Sequence, residues 1–221
     1  MLELAATELF VRQELTKVGP DASHDWWHIE RVRRLALSLA EQENLGAASR
    51  EIIEHAALLH DVADWKYSGS ENASRNTVQA FLESQGVERD TMDAILGILA
   101  GVGFKDELAG GCQNITKELA VVQDADRLDA IGAVGIARCF TYGGRFNRVL
   151  HDPSILPRDA LTKQAYMDRN FQQTTINHFH EKLLRLKDMM KTDAGKRMAL
   201  HRHRVMEDFL TEFGREWDGK A

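Results

Sequence analysis

Apolar residues recur at three- and four-residue spacing along most of this chain, and no stretch alternates apolar with polar residues for more than four positions. That pattern buries one stripe of a helix and cannot bury one face of a strand. In residues 2–17 the stripe is Leu2, Ala5, Ala6, Leu9, Phe10 and Leu15, and Gly19-Pro20 ends it. A second helix, capped by Asp21 or Ser23, is expected to run to about Asn44 and stop before Gly46. Its stripe includes His28, Val32, Leu35 and Leu39. Further helices are expected at about 47–61, 72–85 and 88–100, with a polar turn at 64–72 and a Gly-rich loop at 101–114. A single apolar helix is expected over about 116–142. The segment 143–160 holds two of the three prolines and reads as an extended surface loop. Two long helices close the chain at about 161–190 and 193–217, the second capped by Thr192. The expected class is all-α, with residues 1–221 forming one domain.

Composition narrows the function classes. Three prolines in 221 residues are few for a loop-rich all-β chain. The formal net charge is −6 and the pI about 5.9, which argues against a general nucleic-acid surface. Cys112 and Cys139 are too few for a disulfide framework and read as reduced thiols in a cytosol. Glu3 and Glu8 occupy the place of a basic leader region, so no secretory signal is expected, and no apolar run reaches the roughly 18 residues that span a bilayer. The expected location is cytoplasmic.

Three separated pieces repeat the same ligand chemistry. SHDWWHIERV carries His24, Asp25 and His28; LLHDVADWK carries His60, Asp61, Asp64 and Lys66; VVQDADRLDAIGAVG carries Asp124, Asp126 and Asp129. Imidazole and carboxylate together suit Mn, Fe, Mg, Ni, Co or Zn. Adjacent side chains on a helix point about 100° apart, so His60 and Asp61 reach one ion only at the helix end. The apolar AALL run before them puts that end at the edge of the core. His55, alone on an apolar helix, reads as a core residue. The pairs His178/His180 and His201/His203 are two apart, so each points to different sides of a helix and neither reads as a chelate. Of Trp26 and Trp27, one is expected in the core, and stacking on a base is only the lesser reading of the other. Gly143-Gly144 lacks the strand–turn–helix context of a phosphate-binding loop.

In their order and spacing these pieces resemble the HD-domain metal-dependent phosphohydrolase superfamily. The surrounding text is similar to its YedJ/YpgQ-like branch: AALLHDVADWK, GFK at 103–105, QDADRLDAIGAVGIARCFTYGG at 123–144, and NHFHEKLLRLKDMMKT in the C-terminal third. The resemblance spans nearly the whole chain. It implies an HD-type helical bundle whose metal-site core covers about 20–142, with the C-terminal helices at about 161–217 packed onto it. It also implies one divalent ion, Mn first and Mg, Co, Ni, Fe or Zn as alternatives, held by His28, His60, Asp61 and Asp126. Asp126 is favoured over Asp124 and Asp129 because it is the Asp of the family's A-D-x-L pattern, leaving Asp129 as a partner one turn on. Members with two metals carry extra histidines after the HD pair, and residues 62–150 here contain none, which argues for one ion.

Phosphate hydrolysis needs an activated water, neutralised phosphoryl charge and an accommodated leaving group. Asp64 and His24 are the candidate acid/base groups. Asp64 stands where relatives carry such a residue, and His24 lies one turn before His28 on the same face. Lys66, Lys105, Arg127 and Arg145 are the candidate phosphate and substrate contacts. Arg127 faces away from Asp126 by about 100°, so pairing with an acid is its alternative. Arg148, in the same segment as Arg145, is a weaker candidate of the same kind. The function the resemblance implies is hydrolysis of a nucleoside triphosphate to monophosphate and pyrophosphate. A nucleoside 5′-monophosphatase and a metal-containing regulatory protein without turnover are the alternatives. The expected partner is a small phosphate compound rather than nucleic acid or membrane, bound by a monomer or a homodimer.

Overall fold

A computed structural model describes residues 2–18, 25–62, 71–108, 110–111, 114–159, 162–164 and 173–220, with backbone alone at 71–74 and 105–106. Among them every regular element is helical. The chain is all-α. The elements are α1 (Leu4–Val18), α2 (Trp26–Gln42), α3 (Ala47–Leu59), α4 (Glu71–Ser84), α5 (Arg89–Gly101), α6 (Phe104–Leu108), α7 (Lys117–Asp129), α8 (Gly132–Arg145), α9 (Thr175–Glu181), a 3₁₀ segment (Leu183–Met189) and α10 (Asp193–Trp217). No helix among the described residues is long and apolar enough to cross a membrane.

Helices α2, α3 and α7 pack against one another and form the centre. Their stripes supply fully buried side chains: Ile29, Val32 and Leu39 from α2, Ile53, Leu58 and Leu59 from α3, and Val122, Ala125 and Leu128 from α7. Burying each large aliphatic side chain is worth about 1.5–3 kcal/mol, so these stripes hold the three helix ends in register. α1 and α5 cover α3, and α10 lies across α7 and α8.

Local chemistry sets the ends. Asp25, not Ser23 or Asp21, caps α2: its backbone is extended and its carboxylate accepts from the His28 N–H at 3.1 Å. Such a cap is worth about 1 kcal/mol and fixes the first turn, where His28 lies. Thr192 caps α10 as expected, its hydroxyl accepting from Gly195 N–H. Asp124 accepts from Lys191 N–H, Thr192 N–H and the Thr192 hydroxyl at 2.7–3.1 Å. It is therefore committed to starting α10. Gly195 is required there, because a Cβ would stand 2.3 Å from Asp124 Oδ2.

Several expected boundaries are corrected. The helix expected over 116–142 is two helices, broken at Gly132, whose φ is +76°. The break redirects the chain so that α8 packs on α10, and a Cβ at Gly132 would stand 2.9 Å from Arg202 Cβ. Arg202 donates to Leu128 O, a carbonyl in the last turn of α7 that also accepts from Ile131 N–H. The loop expected at 101–114 contains α6, and the start of the expected surface loop, 143–145, is the end of α8. The helix expected over 161–190 is α9 plus the 3₁₀ segment where described. Of the turn expected at 64–72, residues 71–72 are already helical and the rest lie outside the described residues.

Candidate metal centre

Each of the three central helices delivers part of one cluster. His28 stands in the first turn of α2, His60 caps the C-terminus of α3 with Asp61 after it, and Asp126 lies in the last turn of α7. One atom each from His28, His60 and Asp126 fall within 4.8 Å of one another. His28 Nε2 is 3.3 Å from His60 Nε2, 3.2 Å from Asp61 Oδ2 and 3.7 Å from Asp126 Oδ1. His60 Nε2 is 3.8 Å from both carboxylates. Both imidazoles are buried, whereas the Asp126 side chain keeps 35% exposure, so the cluster opens toward solvent on the α7 side.

The far ring nitrogens show what the near ones are for. His60 Nδ1 lies 2.7 Å from Ala57 O, and His28 Nδ1 lies 2.8 Å from Asp129 Oδ2. Both partners are acceptors, so each Nδ1 carries a proton and each Nε2 is the nitrogen left to face the cluster. Two Nε2 atoms 3.3 Å apart, facing two carboxylates, form a donor set that a cation completes. Two imidazole nitrogens with carboxylate oxygens fit a first-row divalent ion.

Asp129 anchors this arrangement. It is buried, accepts from His28, and takes Arg31 at 2.7 and 3.1 Å and Arg138 at 2.9 Å. Burial alone would raise its pKa, but the hydrogen bonds from His28 and Arg31 and the charge of Arg138 hold it well below the ordinary carboxylate range. Burial and Arg138 push the His28 pKa down, while Asp129 and Asp61 push it up, and the net direction is upward.

The HD domain matches residues 26–131, which hold all four clustered side chains. The uncharacterized protein YpgQ of Bacillus subtilis (strain 168) is 36% identical over 198 residues, 90% of this chain and 86% of that protein. The chain belongs to the HD family. It is similar in structure to an HD-superfamily hydrolase from Bacillus thuringiensis, with a TM-score of 0.71 and 44% identity over 97% of this chain and 96% of that one. It is also similar to the crystal structure of Bacillus subtilis YpgQ in complex with ADP, with a TM-score of 0.74 and 32% identity over 99% of this chain and 100% of that one. HD domains bind divalent metal, and this HD protein is a metal-dependent hydrolase.

The remaining expected site residues of the HD chain fall in different places. His24, Asp64 and Lys66 lie outside the described residues, and for Lys105 only the backbone, in α6, is described. Arg127 is corrected. It is not a substrate contact: its side chain is 3% exposed, one nitrogen donates to Met189 O at 2.8 Å and another pairs with Glu107. The rotation that separates it from Asp126 turns it into the core. Arg145 is exposed at the end of α8, on the face that carries Arg138 and Thr141. His55 is buried in the core against Thr7, as expected, with Nδ1 3.1 Å from its hydroxyl.

Two residues that sequence reasoning missed are Arg31 and Arg138. Arg31 carried a signal, since it lies three residues after His28 and so shares its face. Arg138 carried none, because its meeting with Asp129 depends on the turn at Gly132.

Proposed function

We propose that this chain hydrolyses nucleoside triphosphates, dNTP or NTP, to the monophosphate and pyrophosphate. The observation that carries the reading is the ADP bound to YpgQ, a relative similar over its whole length, taken with the donor set of His28, His60, Asp61 and Asp126 here. Those four side chains would hold one divalent ion, manganese by preference. When bound, such an ion lowers the pKa of a coordinated water and offsets charge on phosphoryl oxygens.

The chain's own residues supply the rest. Asp129 and Ala57 O fix the two imidazoles with Nε2 toward the ion, so the donor atoms need no reorganisation when it binds. Water adds at the α-phosphorus, the bond from it to the bridging oxygen breaks, and pyrophosphate leaves. Asp64 is the proposed group that orients or deprotonates that water or protonates the leaving oxygen, and His24 is the second proposed acid/base group. Lys66, Lys105 and Arg145 are the proposed contacts for substrate phosphates. The same reading makes the chain a single domain of the cytoplasm, acting on a small molecule as a monomer or a homodimer.

The test is a product analysis. Metal-stripped protein is reloaded separately with Mn, Mg, Co, Ni and Zn and incubated with dNTPs, NTPs and nucleoside monophosphates, with Asp61→Ala alongside. Monophosphate plus pyrophosphate, lost in the variant, is the expected result. Nucleoside plus orthophosphate would make the chain a 5′-monophosphatase instead. Stoichiometric metal binding without turnover would turn it into a regulatory protein.

A further inference from the structure

We propose that Arg138 is a positioning residue that sets how the chain holds its divalent ion: its fixed positive charge behind His28 loosens the ion and leaves more of the ion's charge for substrate phosphates. The second half of this rests on the nucleotide reading above. On the cluster side of His28, the Asp61 and Asp126 carboxylates bring two negative charges, which match a divalent cation. On the far side of the ring, cations gather instead. Asp129 is buried there, and Arg31 from α2 and Arg138 from α8 both donate to it. Arg202 from α10 lies near enough for the same carboxylate to act on its charge. The other carboxylate beside these arginines, Asp25, accepts from the His28 N–H as the cap of α2. The whole chain carries a net charge of −6, so guanidiniums collected behind a cation site are not a consequence of composition.

The two arginines that bond Asp129 do different work. Arg31 takes both oxygens, with Nε 2.7 Å from Oδ1 and Nη2 3.1 Å from Oδ2. It shares α2 with His28, so this fork alone fixes the carboxylate against the helix that carries the ligand. Arg138 adds one bond, Nη1 to Oδ2 at 2.9 Å, on the oxygen that His28 Nδ1 already uses at 2.8 Å. Oδ2 therefore serves three donors with two lone pairs, and Arg138 draws on the atom that holds the histidine. Its charge stands two hydrogen bonds from the ligand ring, and it disfavours positive charge on that ring. The same field acts on a cation beyond the ring. At a separation of about 10 Å, one unit charge alters the affinity of a divalent ion by about three- to thirty-fold. Both effects have one sign: they loosen the ion. An ion less offset by its surroundings attracts phosphoryl oxygens more strongly, so loose holding and firm substrate binding go together.

The test titrates Mn into metal-stripped protein by calorimetry. Arg138→Gln keeps a donor for Asp129 and removes the charge, and it is expected to tighten Mn binding by about three- to thirty-fold. Arg138→Lys keeps the charge and is expected to bind Mn as the wild type does. Arg138→Met keeps the aliphatic stem and is expected to tighten binding too, which covers the case of a glutamine variant that does not fold. The visible absorption bands of the cobalt-loaded glutamine variant should match the wild type, because the four ligands do not move. At saturating Mn, KM for dATP is expected to rise by about two- to ten-fold in Arg138→Gln and to stay unchanged in Arg138→Lys. Unchanged or weaker Mn binding without the charge, an equal effect of the lysine, altered cobalt bands or an unchanged KM would each overturn the proposal. Wild-type protein that binds Mn but leaves dATP intact overturns the nucleotide reading instead, and the Mn titrations still judge the role of Arg138.

Discussion

Asp129 holds His28 from behind: its Oδ2 stands 2.8 Å from Nδ1, on the side of the ring opposite the cluster. The carboxylate is itself held by Arg31 and Arg138, so the ring orientation is set by a chain of charged hydrogen bonds rather than by packing alone. Carboxylates that orient ligand histidines in this way contribute about 10- to 100-fold to metal affinity. Asp129→Asn is therefore expected to weaken Mn binding by about that factor, read by isothermal titration on the stripped protein. An unchanged affinity would show that His28 needs no such anchor.

Arg127 is expected to hold the fold together rather than to contact substrate. Its guanidinium is buried against Glu107 and Met189 O. Removing one partner of such a pair leaves an uncompensated charge in a poorly solvated place, at a cost of about 3 kcal/mol, the low end of the range because Glu107 keeps some solvent. Arg127→Met is expected to lower the unfolding free energy by about that amount while KM for the nucleotide is unchanged. A raised KM with unchanged stability would return Arg127 to the substrate site.

What the sequence showed and hid follows from the range of each interaction. The ligand types were legible because His28, His60, Asp61 and Asp126 each sit where a helical stripe reaches the edge of the core, and that is a local pattern. The Thr192 cap was legible for the same reason. The break at Gly132 was not, since a glycine inside an apolar run is tolerated in a helix and nothing nearby marks the +76° φ. Asp124, Asp126 and Asp129 could not be separated on local chemistry. Asp124 is claimed by residues 67 and 68 positions away, and Asp129 by Arg31, 98 positions away. Arg127 was ambiguous for the same reason, because Glu107 reaches it only through the path of α6.

Cys139 is expected to be chemically silent in the folded protein. Burial pushes its thiol from 9.0 up to about 12, and its Sγ donates to Thr175 O at 3.7 Å. Only the thiolate attacks an alkylating agent, so a three-unit rise lowers the reactive fraction about a thousandfold at pH 8. Labelling with iodoacetamide, followed peptide by peptide in the mass spectrometer, should leave Cys139 unmodified until denaturant is added. Rapid native labelling at that peptide would contradict the burial.

His55 gives the stability of the fold a defined dependence on pH. It is buried on α3 against Thr7, and burial lowers its pKa below 6.5 despite the nearby Glu54 and Glu51. Above pH 6.5 the ring is neutral in both the folded and the unfolded chain, so it adds no dependence there. As pH falls below 6.5 the unfolded chain takes up a proton that the folded one refuses, and stability drops until the lowered folded pKa is passed. The slope from one such group reaches at most about 1.4 kcal/mol per pH unit. His55→Asn keeps a polar atom near Thr7 and cannot titrate. Urea unfolding of both proteins in chelator, from pH 7.5 to 5, should give a shallower acid loss for the variant, and parallel curves would show that His55 is charged in the fold or free to become so.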